Sequence, residues 1–173
     1  LSNVIAGNYS LTITDAHSGS LVSNAVITQP TPLNITLTKT DVACFGASTG
    51  SAALTTTGGT PSYNYLWNSG VATQSISNVN AGSYSVTISD ANSCSVSKHF
   101  SIGQPLAIQT TVWGQNPLCY GNTNGSIDLT VSGGVTPMTY LWSNGASVED
   151  PQALGAGNYS VNITDSNGCK ATT

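Results

Sequence analysis

The sequence predicts an all-β protein assembled from tandem antiparallel sandwich domains, one every 75 residues, with six to seven strands in each. The first observation behind this is a recurring stretch, Asn80-Ala-Gly-Ser-Tyr-Ser-Val-Thr-Ile-Ser-Asp90, which returns over residues 5–15 and 155–165. In it an Ala-Gly turn precedes strict alternation, with Tyr84, Val86 and Ile88 on one face and Ser83, Ser85, Thr87 and Ser89 on the other. That is the pattern of a strand buried on one side. The second is the regularity of the period: Gln29-Pro30 returns as Gln104-Pro105, Cys44 as Cys119, Gly58-Gly59 as Gly133-Gly134, Trp67 as Trp142 and Cys94 as Cys169. Between residues 31–98 and 106–173, 22 of 68 positions are identical, mostly Gly, Cys, Tyr, Trp and alternating apolar residues, a set that dictates a fold rather than a reaction. The third is that no segment carries a 3.6-residue apolar period with helix caps.

In chain order, residues 1–30 are the last two strands of one unit, residues 31–105 a complete unit and residues 106–173 a unit lacking its last strand. Leu1 and Val4 lead into the Ala6-Gly7 turn, Tyr9 to Thr14 alternate as a strand, and Leu21 to Thr28 form the next one before Gln29-Pro30. A proline there cannot donate to a ladder and marks a boundary. The complete unit opens with Leu33, Ile35 and Leu37 facing in, then passes through Cys44 and the loop Phe45 to Gly50 into a strand over 51–57. Gly58-Gly59-Thr60-Pro61 is a turn by composition. It feeds Tyr63, Tyr65 and Trp67, three aromatics on one face, and a short strand follows near 75–79. The strand around Tyr84 comes next, and after Asp90 a turn leads through Cys94 into Val96, Phe100 and Ile102. That makes six principal strands. Trp67, Tyr84, Trp142, Tyr159 and Tyr9 are the expected large core residues, each able to bury on the order of 150–250 Å².

Composition narrows the function. Charged residues are 6% of the chain, against about 25% in typical soluble domains, with three Lys, no Arg and a net charge of −4. Nucleic acid is not expected as a partner, because neutralising phosphates needs clustered cations. No apolar run approaches the roughly 20 residues of a membrane span. The chain opens and stops inside repeats, as expected for a window cut from a longer protein.

A Trp on the third strand and a Tyr just after the Ala-Gly corner of a late strand are similar to the immunoglobulin arrangement. Val86 stands where an antibody domain has its second cysteine, so the inter-sheet disulfide of antibodies is absent. The string Cys44-Phe-Gly, Gly50-Ser51, Gly58-Gly59-Thr60-Pro61, Tyr65-Leu-Trp67, Gly70, Ala81-Gly82-Ser-Tyr84, Asp90-Ala-Asn-Ser-Cys94 and Gln104-Pro105 resembles the SprB repeat. Gly19 replaces the second Cys in the first copy, and Thr136-Pro137-Met138 replaces the Pro-x-Tyr of the middle copy. The resemblance implies very large surface proteins of gliding bacteria of the Bacteroidetes type, mobile adhesins exported by the type IX pathway. Its implied setting is extracellular, at the cell surface, with neighbouring repeats, surface polysaccharide or the motility machinery as partners.

A unit of 75 residues buries little on its own, so staples are expected. Repeat parity favours Cys44 with Cys94 and Cys119 with Cys169, one disulfide per domain. Pairing Cys94 with Cys119 instead leaves Cys44 and Cys169 without partners, and one of those partners would fall at Gly19. No CxxC motif or paired His suggests zinc. His17 and His99 do not recur and are expected on the surface, and no Ser, His and Asp set repeats, so no enzyme is expected. Asp90 with Asn92, and Asp165 with Asn167, offer oxygens to a calcium ion, though an Asp at a tight turn more commonly accepts from the backbone two residues on. Trp113 has the parity of an outward residue. It is expected to pack against the neighbouring domain or the proline boundary, or alternatively to offer a stacking platform to a sugar ring.

Three functions fit these features. The first is a structural stalk or spacer repeat of a secreted adhesin. The second is a polysaccharide-binding module acting by avidity, which requires equivalent exposed aromatics in every unit; Tyr63 becomes Met138, and Trp113 aligns with Thr38. The third is an accessory domain of a secreted enzyme.

Overall fold

A computed structural model describes residues 2–173; Leu1, assigned above to the approach to the first turn, lies outside the described residues. Every regular element is a strand. Residues 7–27 form one hairpin, β1 (Gly7–Thr14) and β2 (Ser20–Ile27). The next unit contains β3 (Asn34–Thr40), β4 (Gly50–Thr57), β5 (Asn64–Trp67), β6 (Ser75–Val79), β7 (Gly82–Ser89) and β8 (Ser95–Ile102). These make two antiparallel three-stranded sheets, ordered β3-β4-β6 and β5-β7-β8. In immunoglobulin terms the orders are A-B-E and C-F-G, a sandwich without the D strand.

The alternation read from the sequence decides which side of each strand is buried. Leu54 and Ala52 of β4, Ile76 of β6, Trp67 of β5 and Val86 and Ile88 of β7 fill the space between the sheets, with Tyr63, Tyr65, Val96 and Phe100 packed at the margin. Trp67 is 1% exposed and still satisfies its indole, which donates to Thr73 O at 2.8 Å. Phe100 meets Trp67 edge-on and stacks on Tyr84, both with centroids 5.9 Å apart. Tyr84 is half-buried, and its hydroxyl closes the corner by donating to Asn80 O at 2.8 Å. Tyr159 does the same to Gly155 O, and Tyr9 to Ile5 O.

The unit over residues 106–173 repeats this plan with one substitution of parts. It contains β9 (Gln109–Gln115), β10 (Ser126–Ser132), β11 (Thr139–Trp142), β12 (Val161–Thr164) and β13 (Lys170–Thr172) around Leu129, Trp142, Val161 and Ile163. The expectation that its last strand is missing is corrected here, since β13 is the opening of that strand and pairs with β12. What is irregular is the counterpart of β6. There Pro151 has no N–H to give, and single groups replace the ladder: Leu129 N donates to Asp150 Oδ1, Ile127 N to Pro151 O, and Gly125 and Leu154 exchange both bonds.

Two further expectations are corrected. Tyr9 is only partly covered, and Leu11, Ile13, Leu21 and Val26 around it are exposed, because the β1–β2 hairpin meets no opposing sheet among the described residues. The disulfides within each unit, Cys44 with Cys94 and Cys119 with Cys169, are not formed. Among the described residues the disulfide is Cys44–Cys169, spanning 125 positions and joining one unit to the next, while Cys94 and Cys119 are free and exposed. The even number of strands between Cys44 and Cys94 does not bring those two cysteines together. Cys44 is instead bonded to the following unit, and Cys94 stays exposed.

Trp67→Ala is expected to cost about 3–5 kcal/mol, the range for emptying a buried aromatic site, and Trp142→Ala the same. Trp113→Ala should leave the denaturation midpoint almost unchanged, because that side chain is 65% exposed. Equal losses at Trp67 and Trp113 in urea titrations would contradict the assigned faces. Non-reducing peptide mapping should return Cys44 joined to Cys169 with both other cysteines alkylated.

Candidate functional site at the unit junction

The junction is built on a carboxylate. The strand carrying the recurring motif ends at Asp165, which is buried beneath the turn that follows. Its Oδ1 accepts from Asn167 N at 2.9 Å and Cys169 N at 2.8 Å, and its Oδ2 accepts from Val135 N at 3.0 Å in the turn after β10. Asp90 repeats the arrangement with Asn92 N, Cys94 N and Thr60 N, each at 2.9 Å. At Asp90 the Thr60 amide is the largest influence, and it and the Cys94 and Asn92 amides hold the carboxyl below the usual range against an opposing effect of burial. At Asp165 burial is the largest influence and pushes the other way, but the amides of Cys169, Val135, Asn167 and Gly168 together prevail and lower it.

This turn is what presents the cysteine. With its amide on Asp165, Cys169 faces the loop after β3 of the preceding unit, where Cys44 waits with its Cα 5.6 Å away. That loop is a tight turn, in which Ala47 N donates to Cys44 O at 3.1 Å and Gly46 takes a φ of 73°. Asn167 Nδ2 then donates to Ala43 O at 2.9 Å, so the covalent bond is flanked by a direct hydrogen bond between units. A cleft of about 430 Å³ runs beside the bond, with Phe45 on one side and Pro105, Ile108, Gly134 and Asp165 on the other. A tight turn, a buried carboxylate, a disulfide and a flanking hydrogen bond thus join the two units.

Residues 36–72 and 114–147 match the SprB repeat. The two matches fall on successive units, and they include the Cys44 and Cys119 loops respectively. No curated protein matches the chain.

The remaining candidate residues are placed as follows. Asp90 and Asp165 are turn-forming residues whose carboxylate oxygens accept from backbone amides. Asn92 turns its side-chain amide to Thr60 Oγ1 and Asn167 turns its own to the neighbouring unit. No group of three or more His, Cys, Asp or Glu side chains converges among the described residues. Trp113 lies on β9 opposite Asp128, faces away from the core and is exposed. His17 and His99 are exposed. No helix among the described residues is long and apolar enough to cross a membrane. Sequence reasoning missed Phe45 and its counterpart Tyr120, although an aromatic recurring beside each loop cysteine was visible in the period.

Because the folded carboxyls titrate below the unfolded value of about 3.9, their contribution is complete above that value and is lost as pH falls through the lower, folded one. Melting temperature should therefore hold steady from neutral pH to about pH 5 and fall on further acidification. Asp165→Ala should melt lower at neutral pH and show a shallower acid dependence. An unchanged acid profile in Asp165→Ala with Asp90→Ala would remove these carboxylates as its cause.

Proposed function

We propose that each unit is a spacer in the stalk of a secreted cell-surface adhesin, serving surface attachment or gliding motility, and that its task is to keep a fixed length under tension. The observation that carries this is the Cys44–Cys169 bond between successive units. Tension arriving along the chain at Cys44 crosses to Cys169 through the two sulfurs and bypasses the folded segment between them. An extended chain spans about 3.3–3.6 Å per residue, so a separation of 125 residues withholds about 400 Å of contour. In the chain-entropy account a loop of that size also contributes about 5 kcal/mol against unfolding. A disulfide of this kind suits an oxidising, extracellular setting, and the SprB repeat is an adhesin-type repeat of cell-surface proteins. The low charge leaves no field to recruit a polyelectrolyte, and Trp113 has Thr38 as its counterpart, which leaves the sugar-binding alternative without a repeated platform.

Pulling the chain from its two ends in a single-molecule instrument tests the reading. The oxidised chain is expected to stop short of the reduced chain's full extension by about 400 Å, and Cys44→Ser should behave as the reduced chain does. Equal extension with and without reductant would remove the length-keeping role.

A further inference from the structure

The junction seen once in this chain has two unfilled halves elsewhere in it. The cleft beside Cys169 is lined by Pro105, Ile108, Gly134 and Asp165 and contains Cys44 and Phe45 of the preceding unit. One period earlier, Pro30, Leu33, Gly59, Asp90 and Cys94 line a second cleft of about 280 Å³ in which no cysteine loop sits. Its carboxylate holds the Cys94 amide as Asp165 holds that of Cys169, so the receiving geometry is already formed. The Asn side chain differs in a telling way. Asn167 donates to Ala43 O of the entering loop, whereas Asn92, with no loop to meet, donates to Thr60 Oγ1 of its own unit.

The other half is the loop around Cys119. Asn122 N donates to Cys119 O at 3.1 Å and Gly121 takes a φ of 79°, the same turn as at Cys44. Tyr120 occupies the place of Phe45 and is fully exposed, with Leu118 exposed beside it and Cys119 free. An apolar, preformed loop carrying a free thiol is the shape that the Cys169 cleft already accepts from residues 44–46.

We propose that Cys94 is the receiving cysteine for a Cys-aromatic-Gly loop of another repeat unit, and that the Cys119 loop enters the equivalent cleft of a further one. The partner is in both cases a repeat of this same kind, and the bond formed is an inter-unit disulfide. The step needs a two-electron oxidant, for which a small-molecule disulfide such as oxidised glutathione suffices. The thiolate of Cys94 attacks one glutathione sulfur, the glutathione S–S bond breaks and one glutathione leaves as a thiol. The loop thiolate then attacks Cys94 Sγ in the mixed disulfide and displaces the second glutathione, which takes up a proton. Two cysteine thiols are oxidised to one disulfide and one glutathione disulfide is reduced to two thiols. The proposal stands on the junction geometry and does not depend on the stalk function.

Two extended chains test it. Placing a copy of residues 31–75 ahead of Leu1 completes the first unit and supplies a second copy of the Cys44 loop; placing a copy of residues 99–173 after Thr173 supplies a second copy of the Cys169 cleft. After oxidation with glutathione disulfide, peptide mapping should find the added Cys44 copy joined to Cys94 in the first chain and the added Cys169 copy joined to Cys119 in the second. Alkylation of the newly bonded cysteine should fall at least tenfold, with Cys44–Cys169 retained in both as an internal control. Cys94 or Cys119 remaining alkylatable while that control is intact overturns the proposal. A second measurement does not depend on the added segments folding: residues 41–50, offered as a synthetic peptide with glutathione disulfide to the 173-residue chain, should be captured at Cys94 at least tenfold over Cys119. Equal capture at the two cysteines also overturns it.

Discussion

A buried carboxylate accepting three backbone amides is the constraint on which the rest of each unit depends. Asp165 holds the turn between β10 and β11 to the turn between β12 and β13, and so fastens the connection between the two sheets at one pole. An anion removed from water is costly unless its lone pairs are filled, and here directed amides fill them. The position of the following cysteine is a by-product of that solution: the amide of Cys169 is held by the carboxylate, and its side chain is turned outward, toward the preceding unit. Asp15 makes the same turn with His17 N and Gly19 N, and at Gly19 there is no thiol to present.

Strand positions and their buried faces were legible because alternation and burial are the same fact seen twice. Val86 and Ile88 are buried because every second residue of β7 meets the other sheet. The irregular stretch after Asp150 was less legible, since the proline that breaks the ladder is compensated by a carboxylate and carbonyls whose roles depend on the fold. Parity of the repeat led to the wrong cysteine partners for a physical reason. Counting unpaired cysteines within one chain favours bonds inside a unit, but turns at the poles of a sandwich face its neighbours, and a cysteine there bonds outward.

The β1–β2 hairpin shows what a unit needs. Its residues follow the same alternation as β7 and β8, and its register is as regular, yet Leu11, Ile13 and Leu21 remain in water. Pairing of strands satisfies the backbone but does not bury a face; burial requires the second sheet. Trp67 and Trp142 end the short edge strands β5 and β11, and each is buried in the core between the two sheets of its unit.

The parts that meet at the junction are shared by the units that carry them. Cys44-Phe45-Gly46 and Cys119-Tyr120-Gly121 have one backbone shape, and the clefts beside Cys94 and Cys169 are lined by corresponding residues. Nothing in the joint records which unit it belongs to. Duplication or loss of one whole period in the gene therefore brings an equivalent loop to an equivalent cleft and leaves the joint intact, whereas a change of any other length separates them. Copy number is thus free to drift in evolution while the spacing between joints is not.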